Sequence, residues 1–316
     1  MARFIVRRLL AMIGVLFAIS VLTFFIFQVI PNGDPAVRLG GRNSTPETRE
    51  AIRKDWGFDK PIWQQYFITM GKIFDGSIKS YQQQINVEDE IKRDLPATMS
   101  LAIGAGVIWL GFGILFGVIS AVKAGKFTDT SLTVLSLIGV STPVFLLGAL
   151  VLWLFAYKLQ IFPAGGYTKL SSDPWGWFTH LILPWFVLSV LFIGFYSRVL
   201  RSNILDTINE DYVRTARAKG LSERRILIHH VLRNSLIPVV SLFGLDFAAV
   251  IGGGAILTET VFNLQGVGQY AAEGIQQLDV PVVLVITMFG AFFVVVLSAV
   301  VDVVYAILDP RIRLSG

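Results

Sequence analysis

Six long runs of apolar residues constrain this chain more than any other feature of its sequence. The runs are 9–30, 96–122, 130–157, 181–197, 234–258 and 281–301, and Asp246 is the one charged residue within them. A helix of about 17 to 25 apolar residues crosses the hydrocarbon core of a bilayer, so each run can span it. Only helices and closed barrels satisfy the backbone in lipid, and the sequence lacks a series of alternating ten-residue strands. The sequence therefore predicts an all-α integral membrane protein with six transmembrane helices.

The composition agrees with this prediction and removes several classes of function. Hydrophobic residues make up 54% of the 316 residues and charged residues 16%, outside the balance usual for soluble domains. The absence of cysteine excludes disulfides, zinc–thiolate sites, iron–sulfur clusters and cysteine nucleophiles. The three histidines, His180, His229 and His230, lack the spacing of a metal site on a helix, so neither a metal site nor a catalytic site is predicted.

The runs divide the chain into four predicted regions. These are residues 1–30 with helix 1, 31–95 as a small extracytoplasmic cap, 96–308 as a five-helix core, and 309–316 as a tail. The core helices are predicted at about 96–122, 130–157, 181–199, 236–258 and 281–306, with a loop at 200–235 between the fourth and fifth spans. We expect Pro143 to kink the third span, because a proline inside a helix removes a backbone hydrogen bond.

The distribution of basic residues predicts the orientation. Counted over the termini and short loops, fifteen Lys and Arg residues lie on the side of the N-terminus and two on the opposite side. Short loops rich in basic residues stay in the cytoplasm. Both termini and the loop at 200–235 are therefore predicted to be cytoplasmic.

The loop at 200–235 has the pattern of two short helices. Asn209 or Asp211 is placed to cap the first, and Gly220 to end it in a left-handed conformation. Ser222 is then placed to cap a second helix that ends near Asn234. The alternative is an ordinary solvated basic loop that only follows the charge rule.

The same loop resembles a known element. The run Arg214-Thr215-Ala216, with Gly220 and then Leu232-Arg233-Asn234, resembles the EAA loop of ABC importer permeases. Most of that family has Glu, Ala and Pro where this chain has Arg214, Thr215 and Arg233. Those departures are typical of the dipeptide, oligopeptide and nickel branch.

Further motifs in the same order extend the resemblance over nearly the whole chain. They are Pro31-Asn32-Gly33-Asp34-Pro35, Trp56-Gly57-Phe58-Asp59-Lys60-Pro61, Leu95-Pro96-Ala97-Thr98, Thr258-Glu259-Thr260-Val261-Phe262, Gly266-Val267-Gly268 and Asp309-Pro310-Arg311. Two departures from the branch pattern are the inserted Asn32 and Gln265 in place of Pro.

The resemblance implies a type I ABC importer permease fold and a place in a bacterial or archaeal inner membrane. Its implied partners are a second, homologous permease, two cytoplasmic ATPase subunits or domains, and an extracytoplasmic substrate-binding protein. The chain has no Gly-x-x-x-x-Gly-Lys-Ser/Thr loop, so ATP and Mg would be bound by the ATPases. The implied substrate is a di- or oligopeptide, with nickel, glutathione or an oligosaccharide as alternatives in the same architecture.

Two sets of residues are predicted to serve this function. The set that receives the ATPase is Asp211, Tyr212, Arg214, Thr215, Ala216, Arg217, Ala218, Lys219, Gly220, Leu221 and Ser222. The set that lines or gates the path is Asp246, Gly252, Gly253, Gly254 and Glu259. An intramembrane acid such as Asp246 is a functional candidate by default, and the alternative is a hydrogen-bonded structural acid at a subunit interface.

Two other classes of function remain as alternatives. A membrane-embedded enzyme would need a pair of reactive side chains, and Asp246 and Asp302 lie on different spans. A stand-alone channel or secondary transporter would show intramembrane charge pairs or internal repeats, and the sequence shows neither.

Overall fold

The computed structural model describes residues 2–29, 34–40 and 44–308. Residues 31–33, which belong to the first of the motifs above, and the predicted tail 309–316 lie outside this description. The described helices are α1 (Ala2–Phe24), α2 (Pro35–Gly40), α3 (Pro46–Trp56), α4 (Ile62–Phe74), α5 (Val87–Val122), α6 (Phe127–Ser141), α7 (Val144–Leu152), α8 (Pro174–Thr207), α9 (Asp211–Ala218), α10 (Glu223–Ile226), α11 (Arg233–Ala249), α12 (Ile256–Val261), α13 (Val267–Gln276) and α14 (Val280–Leu308). Wider π-helical turns follow four of them, at Phe25–Val29, Trp153–Lys158, Leu227–Leu232 and Val250–Gly254.

Local sequence explains where several helices begin and end. Thr45 accepts a hydrogen bond from the backbone N–H of Thr48 at the start of α3, and Gly57 ends that helix with a φ of 65°. Asp173 accepts from the backbone N–H of Trp175 at 3.1 Å and begins α8. These contacts satisfy backbone groups that a helix end leaves unpaired.

Five helical segments are long and apolar enough to cross a membrane. They are Val6–Val29, Val87–Val122, Pro174–Thr207, Glu223–Gly254 and Val280–Val301. A sixth candidate is the pair Phe127–Ser141 and Val144–Lys158, bent by 97°. The described residues therefore hold five spans, or six when the bent pair counts as one, in agreement with the predicted number.

The break in the third span lies at Pro143. The preceding residue, Thr142, has an extended backbone with φ −82° and ψ 121°, because the proline ring excludes its neighbour from the helical region. Pro143 then precedes the first residue of α7. The expected kink is thus a complete break.

The fifth span is interrupted at a glycine. Gly253 has a φ of 122°, which a residue with a β-carbon rarely adopts. This residue lies within the π turn that follows α11, and it interrupts the helix before α12 begins. Gly252 lies close to Gly290 of α14, where an added β-carbon on Gly290 would lie 2.3 Å from the Gly252 carbonyl oxygen. Two small residues thus allow close contact between the backbones of these helices.

The chain forms two compact units. The first comprises the described parts of 1–98, 249–260 and 264–299. Its core is formed by the buried residues Trp56, Ile78, Val87, Ile91, Val267, Tyr270, Ala271, Val282 and Ile286. Buried Asp279 also accepts hydrogen bonds from the Ser80 hydroxyl at 2.6 Å and the Gln82 backbone N–H at 3.2 Å. This carboxylate fixes the turn that precedes α5.

The second unit comprises the described parts of 99–248, 261–263 and 300–316. Helices α6 and α8 pack closely at Gly194, which has no β-carbon. An added β-carbon there would lie only 2.6 Å from the Ser136 carbonyl oxygen. The Ser136 and Ser197 hydroxyls lie 3.0 Å apart at the same contact. Trp109 of α5 is fully buried and stacks on Phe192 of α8 with ring centroids 4.4 Å apart.

Candidate functional site

The segment between α8 and α11 forms the two predicted short helices, with different ends. Helix α9 begins after Glu210, which makes no side-chain capping bond, and Asn209 instead donates to the Leu205 carbonyl at 3.0 Å. The expected caps Asn209 and Asp211 are therefore wrong. Gly220 has a φ of 77° just after the helix, as its predicted role in ending it requires.

The second helix continues much further than predicted. Ser222 stands at its N-cap position but makes no side-chain capping bond, and the helical segment runs from Glu223 to Gly254. The expected end near Asn234 is wrong, because the π turn at Leu227–Leu232 joins α10 to α11 without a break. The loop is thus directly continuous with the fifth span.

Helix α9 has a buried face and an exposed face. Val213 is 0% exposed and Ala216 is 5% exposed, so both side chains face their own chain. The other predicted coupling residues are exposed or, for Leu221, partly exposed. They are Asp211, Tyr212, Arg214, Thr215, Arg217, Ala218, Lys219, Gly220, Leu221 and Ser222.

Side-chain contacts fix α9 to the adjoining helices. Arg217 donates to Glu223 at 2.7 Å and so links α9 to α10. This carboxylate raises the pKa of Arg217, mainly through the hydrogen bond. Asn234 donates to the Tyr212 hydroxyl at 2.8 Å and links α9 to α11.

A buried serine joins the end of α8 to the start of α11. The Ser235 hydroxyl lies 3.1 Å from the Thr207 hydroxyl and 3.2 Å from the Asn203 carbonyl oxygen, and Ser235 is 1% exposed. The side chain of Asn203 in turn donates to the Ser235 carbonyl at 3.4 Å. The end of α8 and the start of α11, which flank α9 and α10 in the chain, are therefore held together.

An ion pair between a buried aspartate and a partly exposed arginine, which the sequence did not predict, holds α8 to the first turn of α6. Asp129 is 4% exposed and accepts two hydrogen bonds of 2.7 Å from Arg201. The Ser120 hydroxyl and the Gly125 backbone N–H also donate to it. Charge pattern alone could not reveal the pair, because its members lie 72 residues apart.

Asp246, the predicted intramembrane acid, has a specific partner. The Tyr196 hydroxyl donates to Asp246 Oδ2 at 2.7 Å. Tyr196 is 1% exposed, whereas Asp246 is only partly buried. The acid is hydrogen-bonded on one side and retains an accessible side, an arrangement compatible with both alternatives given for it.

Glu259 lies away from any open surface. It is 0% exposed, accepts from the Thr98 hydroxyl at 2.8 Å and from the Gln269 backbone N–H at 2.9 Å. The Thr98 hydroxyl accepts in turn from the Val267 N–H at 2.9 Å. Helix α13 has no side-chain cap at Gly266, so Glu259 and Thr98 together satisfy its first N–H groups.

Burial dominates the titration of this acid. It raises the pKa of Glu259 to about 7, against the hydrogen bonds from Thr98 and from the backbone of Gln269 and Gly268. The charge of Asp94 adds to the increase. The described residues contain no group of three or more His, Cys, Asp or Glu side chains that could hold a metal ion.

Two family models cover almost the whole chain. The model of the binding-protein-dependent transport system inner membrane component matches residues 113–314. The model of the N-terminal region of such membrane components matches residues 1–102. The chain belongs to this family. The membrane components of binding-protein-dependent transport systems are transporter subunits, and the exposed loop between α8 and α11 lies within the first match.

Curated members of the family align with this chain from end to end. The probable peptide ABC transporter permease protein y4tP of Sinorhizobium fredii is 34% identical over 314 residues, covering 99% of this chain and 100% of that protein. The di/tripeptide transport system permease protein DppB of Pseudomonas aeruginosa is 37% identical over 335 residues, covering 99% of both. The dipeptide transport system permease protein DppB of Lactococcus lactis is 36% identical over 316 residues, covering 99% of this chain and 100% of that protein.

The fold resembles that of a solved transporter. The similar chain comes from inward-facing conformations of the MetNI methionine ABC transporter, with a TM-score of 0.52 and 15% identity. The match covers 69% of this chain and 96% of that chain. At this identity the likeness concerns the fold alone, and it confirms the predicted all-α fold of an ABC importer permease.

Proposed function

We propose that this permease forms, with a second homologous permease, the path by which an ATP-driven importer takes up di- or oligopeptides. An extracytoplasmic binding protein delivers the peptide, and two partner ATPases bind ATP and Mg. The names of full-length relatives support the peptide class. The observation that carries the coupling role is the exposed face of α9, on a helix fixed to both α10 and α11.

The mechanism follows from the rigidity of this element. When the ATPases close, they push on 211–222, and the contacts of Asn234 and Glu223 keep α9 in place relative to α11 and α10. The push then tilts the long helices as rigid bodies, as alternating access between two packings requires. The orientation that this mechanism needs has both termini in the cytoplasm of a bacterial or archaeal cell.

The path residues take different parts in the proposal. Asp246 presents its accessible side to the passing peptide, and the Tyr196 hydroxyl orients it. The helix break at Gly252, Gly253 and Gly254 lets the end of the fifth span change direction. Glu259 acts indirectly, because it fixes the start of α13 next to that break.

Uptake by the reconstituted complex tests the function. Proteoliposomes would contain this permease, its second permease and the ATPases, with the binding protein outside. We expect ATP-dependent accumulation of a labelled dipeptide, and no accumulation when the ATPases carry a substitution of the catalytic Walker residues. Accumulation of nickel, glutathione or an oligosaccharide without that of peptide would overturn the substrate assignment.

Site-directed crosslinking tests the contact with the ATPase. The chain has no cysteine, so Ala218→Cys creates a single reactive thiol on the exposed face of α9. We expect it to crosslink to the ATPase subunit. Ala216→Cys, at the buried face, is the matched control and should not. Equal crosslinking at both positions, or at neither, would contradict the assigned face.

A further inference from the structure

Helix α4, in the region predicted as an extracytoplasmic cap, exposes an aromatic face. Trp63, Phe67 and Phe74 are spaced by four and seven residues, so they lie on one side of the helix. They are 62%, 65% and 83% exposed. Water-soluble surfaces seldom present such a row, whereas helices that lie in the membrane interface do.

The same face borders a large apolar cavity within the first unit. The cavity has a volume of about 910 Å³ and lies among α1, α4, the start of α5 and α14, with Phe17, Phe67, Gly71, Ile91 and Phe289 in its wall. This volume is in the range of about 300–1,000 Å³ usual for small-molecule sites. The Ser20 and Tyr66 hydroxyls in the wall lie 2.7 Å apart and satisfy each other. The wall therefore offers an apolar ligand an environment without unpaired hydroxyl groups.

One charged pair completes the lining. Lys92 and Glu88 are 2.6 Å apart on successive turns of α5, and their side chains are 66% and 47% exposed. The apolar run of this helix begins at Pro96, four residues after Lys92. At a rise of 1.5 Å per residue, the backbone of Lys92 lies about 6 Å from the start of that run along the helix axis. Lipid headgroups, rather than acyl chains, lie at this depth.

We infer that this cavity binds one membrane phospholipid with a zwitterionic phosphoethanolamine headgroup. An acyl chain fills the apolar cavity, Lys92 binds the phosphate, and Glu88 binds the primary ammonium group. Opposite charges one helical turn apart complement the two charges of that headgroup. An anionic headgroup would meet only one of them favourably, because Glu88 repels it.

The charged pair also favours a lipid over a second protein chain as the occupant. A protein covering the cavity would have to desolvate both side chains, which is costly unless each gains a new partner. A lipid leaves them at the membrane–water boundary, where the aromatic face of α4 is also stable. The inference does not depend on which substrate the importer carries.

Filling the cavity tests the inference directly. A β-carbon on Gly71 meets no atom within 4 Å, so Gly71→Trp can occupy the cavity without disturbing the fold. Gly111→Trp is the matched control, because a β-carbon there also meets nothing within 4 Å and Gly111 does not line the cavity. Native mass spectrometry of the purified complex, with phosphatidylethanolamine added in the detergent, counts the bound lipids.

We expect the unsubstituted complex and Gly111→Trp to retain one phosphatidylethanolamine that Gly71→Trp loses. Retention by Gly71→Trp, or equal loss from both variants, would overturn the inference. Loss of the lipid while uptake persists would separate this site from the transport function. Failure of uptake in the unsubstituted complex would count against the proposed function alone.

A second pair of variants tests headgroup recognition. Glu88→Gln with Lys92→Gln should abolish the preference for phosphatidylethanolamine over phosphatidylglycerol in the same measurement. The control is Glu50→Gln with Lys54→Gln, an exposed pair of the same spacing on α3. This control should keep the preference for phosphatidylethanolamine.

A photoreactive side chain at Phe67 provides an independent readout. Crosslinks to lipid support the inference, whereas crosslinks to the second permease would show that a protein covers the cavity.

Discussion

The guanidinium of Arg201 donates two hydrogen bonds of 2.7 Å to the two carboxylate oxygens of Asp129. This contact joins α8, which leads into the loop at 208–222, to the first turn of α6. Since α6 and α8 also touch at Ser136 and Gly194, the two helices form one rigid pair. In the proposed mechanism, a force on the loop between α8 and α11 therefore reaches the third span as well as the fourth.

Removing Arg201 should destabilise the protein strongly. Arg201→Gln removes the counter-charge of Asp129 and its two charged hydrogen bonds, and a hydrogen bond to a charged group contributes about 1.5–3 kcal/mol. Adding Asp129→Asn should recover much of the loss, so the two effects should not be additive. Thermal unfolding in detergent measures both. Arg214→Gln, whose partner Asp211 is 98% exposed, is the control and should leave the melting temperature unchanged.

Gly220→Val should uncouple ATP hydrolysis from uptake. Its φ of 77° is strained for a β-branched residue, although space is available for the side chain. The end of α9 must therefore shift while membrane insertion is unaffected. The ratio of peptide taken up to ATP hydrolysed measures the effect. Gly220→Asn, which tolerates this conformation better, should retain most of the coupling, and a normal ratio in the valine variant would argue against the coupling role.

The stability of the protein should fall as the pH rises from about 4.5 to about 7. The folded-state pKa of Glu259 is raised from 4.5 to about 7, so in this window the folded state holds a proton that the unfolded state has lost. The contribution of this proton to the free energy of unfolding is complete below about pH 4.5 and lost above about pH 7. Melting temperatures across the window should show this slope, and Glu259→Gln should remove it. Glu273→Gln on the same α13 is the control and should keep the slope.

Gly290→Ala should disturb the contact between α14 and the break in the fifth span. The new β-carbon would lie 2.3 Å from the Gly252 carbonyl oxygen, so one backbone must move, at a cost of about 1–3 kcal/mol. We expect a lower melting temperature and slower uptake. Gly111→Ala, where the added carbon meets nothing within 4 Å, should have neither effect. Unchanged behaviour of Gly290→Ala would mean that the contact is not needed.

Asp246→Asn should change the rate of peptide uptake if the acid lines the path. The amide keeps the shape of the side chain and can still accept the hydrogen bond from Tyr196, but it lacks the charge. Initial rates in proteoliposomes measure the effect. Tyr196→Phe removes the hydrogen bond and leaves the charge, so it separates orientation from charge. A normal rate in Asp246→Asn would favour the structural alternative.

The sequence predicts the membrane class, the number of spans and the end of α9 at Gly220 well, because each depends on local pattern. Apolar run length sets the spans, and Gly220 marks the end of α9 through its own backbone freedom. The helix boundaries were less predictable. The end expected near Asn234 is absent, because a π turn accommodates the sequence there without interrupting the helix.

Long-range partners could not be predicted from one sequence. Thr98 and Glu259 lie 161 residues apart, and nothing local marks either as the partner of the other. The same holds for the burial of Ala216 against its own chain, which no local pattern indicates. Burial of a single helix face depends on the fold and not on the residue itself.

The hydrogen bond between Ser80 and Asp279 spans 199 positions of the chain. A ribosome releases Ser80 long before Asp279. The turn at Ser80–Gln82 therefore cannot bind this carboxylate until four further spans have been synthesised. Contacts of such sequence separation form late and slowly. The core of the first unit can therefore be completed only when α14, its last helix, has entered the bilayer. A chain shortened before Asp279 would expose an incomplete structure to membrane quality-control proteases.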